Sequence, residues 1–291
     1  MYTSLKDLLR LTKEQNAPLW QIMLDNECAL AGCTPDEIWN KLRDRYAVMK
    51  KSATKALTVS LPTAGNLISG ITAPQYAYSL QNGTICGNFI NYAMALALSG
   101  SEVNASMGKV CAAPTAGACG ILPAVLLAMA KEFNYEEDDI LKALLTASGI
   151  GAVVVKNATV AGAEGGCQAE CGVAAAMAAA AAVQLKGGTP QQAVTACCLV
   201  FMNVMGLICD PVAGLVQVPC AQRNASQTIN ALLCADLALA GMQCIIDPDD
   251  VIEAMYKVGK MLPVQLRETA LGGIAATHSS KKIQEEIFSN S

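Results

Sequence analysis

Residues 172–183 read Gly-Val-Ala-Ala-Ala-Met-Ala-Ala-Ala-Ala-Ala-Val, and what such a run can become decides the fold. Alanine is the strongest helix former and adds only a methyl group. A helix built from it has no polar face, so it belongs inside protein. The run falls short of the ~20 apolar residues that a bilayer-spanning helix needs, and Asn203 interrupts the next candidate. It therefore predicts a buried helix over 168–185 and no membrane span.

Working outward, apolar periodicity predicts helices over 136–148, 190–205, 225–242 and 249–261, and another running to about Lys131. Near the N-terminus, Ser4 with Asp7 resembles a capping box ahead of Leu8, Leu9 and Leu11. Thr34-Pro35-Asp36-Glu37 has the N-cap, the proline and the acid in the order of a second helix start. Both of these helices are expected to face solvent. Only Val153-Val154-Val155 reads as a strand, and it is too short to imply a sheet. The fold class is therefore all-α, a compact multi-helix domain with Ala-rich buried helices. One catalytic domain is expected over 1–291, with charged N-terminal helices over 1–55 and an apolar core over 56–291.

Composition narrows the function. Hydrophobic residues make up 53% of the chain and charged residues 15%, so an unusually dry core is expected. Net charge is −4 and no Lys/Arg run exceeds Lys50-Lys51, so counterion release has no source and nucleic-acid partners are discarded. From Ala56 to Ser101 there is no Asp, Glu, Lys or Arg, a stretch expected to be buried in the fold or on assembly. The first ten residues mix charges with apolar side chains, the wrong order for a secretory signal, and thirteen cysteines then read as reduced thiols or metal ligands. The expected location is the cytoplasm.

Three cysteines stand beside breaks in helical pattern: Cys167 in Gly-Gly-Cys-Gln-Ala-Glu, Cys209 in Ile-Cys-Asp-Pro and Cys220 in Val-Pro-Cys-Ala-Gln-Arg-Asn. Loop-borne thiols can converge, whereas Cys197-Cys198 and Cys234 lie in apolar runs and read as core. The separations, 42 and 11 positions, match no short zinc or ferredoxin pattern, so spacing alone leaves a metal site and plain buried thiols both open. A small-residue loop over 108–123, Gly-Lys-Val-Cys-Ala-Ala-Pro-Thr-Ala-Gly-Ala-Cys-Gly-Ile-Leu-Pro, allows close backbone approach to a ligand.

Four segments, Ala-Ala-Pro-Thr-Ala-Gly-Ala-Cys-Gly, Gly-Gly-Cys-Gln-Ala-Glu, Cys-Asp-Pro-Val-Ala-Gly-Leu-Val-Gln-Val-Pro-Cys and Leu-Arg-Glu-Thr-Ala-Leu-Gly-Gly, occur in this order. In them the chain resembles the alpha subunit of bacterial iron–sulfur L-serine dehydratase. The resemblance implies an all-helical catalytic domain, with Cys167, Cys209 and Cys220 holding a four-iron four-sulfur cluster. Three thiolates leave one iron without a protein ligand, free to act as a Lewis acid on the substrate's hydroxyl and carboxylate. Loss of the α-proton and of hydroxide would give an enamine that ends as pyruvate and ammonia, without pyridoxal phosphate. L-Cysteine or L-threonine is the alternative substrate, and a cluster-free scaffold subunit the alternative role.

The general base has no assignment. His278 is the only histidine and reads as a surface residue rather than the base. In related enzymes a histidine in a Ser-Ser-Ser-His-Thr motif belongs to a beta subunit or a fused domain. No such motif occurs here, so a beta-subunit partner and an oligomer are expected. Candidate substrate contacts are Arg267 for the carboxylate, with Asn104 and Thr115 beside it, although pairing of Arg267 with Glu268 and local loop hydrogen bonds are equally consistent. Glu164 and Glu170 flank Cys167, where they would tune a cluster or cap a helix. Many relatives have Ser-Gly-Leu-Thr-Gly-Gly-Asp where this chain has Ser69-Gly70-Ile71-Thr72-Ala73-Pro74-Gln75, which bears on substrate preference. Single-chain relatives can end in a cysteine that caps the open iron. This chain ends in Ile-Phe-Ser-Asn-Ser, with Cys244 its last thiol, so no such cap is expected.

Overall fold

The computed structural model describes residues 1–289; Asn290 and Ser291 of the thiol-free tail lie outside the described residues. Three helices open the chain, α1 (Leu5–Gln15), α2 (Leu19–Ala31) and α3 (Pro35–Lys55). The middle carries α4 (Thr72–Ser79), α5 (Gly87–Ala105), α6 (Ile121–Phe133), α7 (Glu137–Asn157) and the single turn α8 (Gly162–Gly165). A π-helical turn, Gln168–Gly172, feeds α9 (Val173–Leu185). Then come α10 (Pro190–Val204), α11 (Cys220–Leu239), α12 (Pro248–Met261) and α13 (His278–Phe288). Among the described residues there is no sheet, only an isolated bridge between Cys209 and Arg267. The all-α class follows from sequence as expected.

The alanine run is the axis of this arrangement. α9 packs against α6, α7, α10 and α11, and every residue from Val173 to Val183 is buried. Methyl groups let the surrounding backbones come close, so density rather than large side chains fills the centre. The same economy recurs where α5 crosses the start of α6: a methyl on Gly100 would stand 2.8 Å from the Gly120 Cα. The windows Ala116–Phe133 and Gln168–Leu185 are apolar enough to cross a bilayer by length and composition alone, yet 61% and 89% of them is buried in the protein. Both are core helices of the bundle.

The helix starts obey their caps. Ser4 Oγ accepts from Asp7 N at 3.1 Å, and Thr34 and Glu37 form the reciprocal box. Thr189 and Gln192 repeat that box at α10. The N-terminal helices are amphipathic rather than simply solvent-facing: Leu5 and Leu8 are fully buried, and Asp249 of α12 accepts from Leu5 N at 2.8 Å. α2 has no side-chain cap, which is why sequence gave no signal for it. Val153-Val154-Val155 is no strand; it lies in α7, where Val153 and Val154 bury with Ile150, and packing overrides the preference of β-branched residues. α11 begins at Cys220, five residues before the expected start, directly after Pro219.

The charge-free stretch divides. Its α5 end is buried from Ala95 to Ala97 and from Ser99 onward, while Val59, Leu80 and Ile85 are exposed. The intervening loop is gathered by the fully buried Glu102, whose carboxylate accepts from Leu61 N (2.8 Å), Gly70 N (2.9 Å) and Thr72 Oγ1 (2.7 Å). The segment Ser69–Gln75 is therefore fixed from below by one carboxylate.

If close packing around α9 carries the fold, enlarging it should be costly. Ala178→Leu, at a site with no exposure, is expected to destabilise by about 1–3 kcal/mol through overpacking. Urea denaturation measures this, and an unchanged midpoint would show that the core has slack there.

Candidate functional site

Each thiol singled out in the sequence is delivered by a different local device. Cys167 follows Gly166, a left-handed glycine (φ 74°), and opens the π-helical turn. Gln168, fully buried, secures that turn: its Nε2 donates to Met255 O at 3.0 Å and its Oε1 accepts from Gly206 N at 2.8 Å. Cys209 is held in extended backbone by two bonds, Cys209 N to Leu266 O (2.8 Å) and Glu268 N to Cys209 O (2.7 Å). Cys220 is the first residue of α11. All three are buried, and all three line one cavity of about 220 Å³.

A fourth thiol joins them. Cys171 lies four residues after Cys167 in the π turn, with the two Sγ atoms 3.4 Å apart, and it lines the same cavity. The Cys-x-x-x-Cys spacing was present in the sequence and places both on one helical face. Cys171 falls inside the run expected to be helical, so no break in pattern marks it.

Thr115 reaches the cavity and donates from Oγ1 to Glu170 Oε1 at 3.0 Å. The two acids flanking Cys167 diverge: Glu170 turns inward, while Glu164 pairs with Lys260 at 3.6 Å on the surface. Glu268 also lines the cavity, and its backbone is left-handed at φ 63°, an unfavourable conformation held by the Cys209 bridge. Ligand atoms of Glu170, Cys209 and Glu268 lie within 4.8 Å of one another. Arg267 does not pair with Glu268. Its Nη1 makes a long contact of 3.5 Å to Glu164 O, and its buried Nε has no partner among the described residues. Asn104, in the last turn of α5, stands outside the cavity lining, and His278 is exposed at the start of α13.

The small-residue loop is stapled to Cys220. Asn224, fully buried one turn into α11, accepts from Gly120 N (3.0 Å) and donates to Gly117 O (2.7 Å) and Cys220 O (2.9 Å). Neither Asn224 nor its neighbour Arg223 was singled out from sequence, although both stand in the quoted Pro-Cys-Ala-Gln-Arg-Asn segment. A methyl on Gly162 would sit 3.1 Å from Glu268 Oε2 and collide with Glu170, so this wall has no room for a side chain.

The electrostatics fit a metal-binding thiol set. Hydrogen bonds from Cys171 and Cys209, with Arg223 nearby, hold the Cys167 thiol well below its usual range. Those bonds and burial push Cys171 and Cys209 up, and burial with the Cys167 charge raises Cys220 to about 12. Burial, Cys167 and Glu268 together raise Glu170 to about 7. Several anions cannot share a buried space without a cation, so charge on the Cys167 sulfur works against charge on its neighbours. Soft sulfur donors meeting in a buried cavity suit iron–sulfur or other thiophilic metal chemistry. A larger groove of about 470 Å³ between α5, α6, α9 and α11 is lined mainly by apolar side chains such as Met129, Phe133 and Leu232, and has no thiol.

The chain matches the family model described as serine dehydratase alpha chain over residues 14–275. It is 46% identical to the L-serine dehydratase alpha chain of Peptoniphilus asaccharolyticus, over 99% of both chains. It is 40% identical to a probable L-serine dehydratase alpha chain of Bacillus subtilis, over 99% of this chain and 96% of that one. L-serine dehydratase 2 of Escherichia coli is 36% identical over 94% of this chain, which spans 61% of that protein.

Removing the staple tests how the site is held. Asn224→Ala leaves buried backbone groups unsatisfied and is expected to cost about 1–3 kcal/mol and to speed alkylation of Cys220. Mass spectrometry after timed iodoacetamide treatment reads the second effect. An unaltered Cys220 rate would mean that other contacts hold the loop.

Proposed function

The chain belongs to the serine dehydratase alpha-chain family, and on that premise we propose that it is the catalytic alpha chain of an L-serine dehydratase, a carbon–oxygen lyase forming pyruvate and ammonia. The observation that carries this reading is the convergence of Cys167, Cys209 and Cys220 on one buried cavity. We assign these three as ligands of a four-iron four-sulfur cluster and Cys171 as a wall residue beside them. Such a cluster, when bound, supplies a Lewis-acidic iron toward the hydroxyl and carboxylate oxygens of the substrate.

The remaining chemistry falls to the chain and its partner. Glu170 and Glu268 present carboxylate oxygens to the cavity, the acceptors that an α-ammonium group requires, and Thr115 orients Glu170. Arg267 stays the candidate for the substrate carboxylate: its backbone flanks Cys209, and an unpartnered Nε leaves donor capacity for an anion. Asn104 would contact substrate only by a rearrangement at the end of α5, and it is the weaker candidate. The α-proton and the hydroxyl leave the substrate as water overall. The enamine tautomerises to an imine, and a second water hydrolyses this to pyruvate and ammonia.

A beta-chain partner supplies the base in this proposal. The relatives' description as alpha chains supports a partner. All thirteen cysteines are free thiols, which supports action in a reducing cytoplasm.

Anaerobic purification followed by iron and sulfide analysis tests the core of the proposal. Single Ser substitutions at Cys167, Cys209 and Cys220 are expected to lose most of the iron, and pyruvate formation with it, whereas Cys171→Ala should retain both. L-Serine should outrun L-threonine and L-cysteine as substrate when the partner is present. A colourless, iron-free wild-type protein prepared under argon would sink the reading.

A further inference from the structure

Two thiol-bearing segments are joined by one guanidinium. Arg223 lies one turn into α11, three residues after Cys220. Its Nη1 donates to Ile208 O at 2.8 Å and its Nη2 to Asp210 Oδ1 at 2.7 Å, so it grips both neighbours of Cys209. Asp210, with its side chain 1% exposed, passes the connection on: Oδ2 accepts from Ile274 N at 2.7 Å, beyond the Glu268 turn. A planar fork aims its N–H donors at a backbone carbonyl and a carboxylate in two fixed directions, whereas an ammonium is a single point charge.

Charge balance gives the same side chain a second task. The cavity collects Cys167, Glu170 and Glu268, and the Arg223 guanidinium stands against both chain neighbours of Cys209. An N–H donor and a positive charge beside a ligating sulfur favour the reduced, more negative state of an iron–sulfur centre.

We infer that Arg223 is a positioning residue that holds the Cys209 and Cys220 segments in register and raises the reduction potential of the cluster they carry. This rests on the cluster assignment above, and the experiment keeps the two separable. Wild type, R223K and R223Q/D210N are reconstituted with iron and sulfide under argon; the double variant avoids leaving Asp210 as a lone buried charge. Circular dichroism checks folding, and spectroelectrochemistry and the rate of iron loss to a chelator are the readouts. The expected result is a more negative potential and about tenfold or faster iron loss in R223Q/D210N, with R223K between it and wild type. Equal potentials and equal iron loss in folded variants overturn the inference while the cluster assignment stands. If the double variant fails to fold, R223K decides alone: a wild-type potential and rate overturn the inference, and a negative shift supports it. Wild type that takes up no iron removes the cluster assignment itself, and this inference with it.

Discussion

A helix without a polar side has to be surrounded, and α9 meets that condition with four neighbouring helices whose approach is limited only by methyl groups. Chemistry cannot be placed along such an axis, because polar groups there would be buried without partners. It is displaced to the N-terminal end, where the backbone loosens into a π turn before the alanines begin. Helical turns of this wider kind concentrate at functional sites. Here the turn carries Cys167 and Cys171 on one face and Glu170 beside them.

Around that turn the protein relies on a few buried polar side chains, each satisfied by several partners. Gln168 ties the turn to α12 and to the approach to Cys209. Asn224 ties the glycine loop to Cys220, and Glu102 organises the loop before α4. In a chain with 15% charged residues, such hubs do the orienting that surface ion pairs do weakly elsewhere. Each hub is neutral or fully hydrogen-bonded, so none leaves an unsatisfied polar group in the core.

Much of this was legible in the residues. The alanine run, the two caps at Ser4 and Thr34, and the three cysteines beside pattern breaks carried the fold class and the convergence of thiols. What stayed hidden depends on three-dimensional packing. The valine triplet in α7 looks extended until its burial against neighbouring helices is known. Which of Glu164 and Glu170 faces inward follows from the π turn that carries Glu170, and the left-handed backbone at Glu268 brings its carboxylate beside Cys209. Neither conformation has a sequence signature. Arg223 and Asn224 lay in plain view, but their roles exist only once α11 starts at Cys220 and aims them at the other segments.

The Cys209 bridge has a bearing on how such a protein is made. Cys209 is held by Leu266 and Glu268, and Asp210 by Ile274, so the pocket's geometry is unfinished until the ribosome has passed Ile274. A nascent polypeptide carrying Cys167 alone offers an incoming metal assembly no defined seat. A metal assembly held by these thiols would therefore be seated only once Ile274 has been made, and a chain cut before Leu266 would strand its thiols rather than load them.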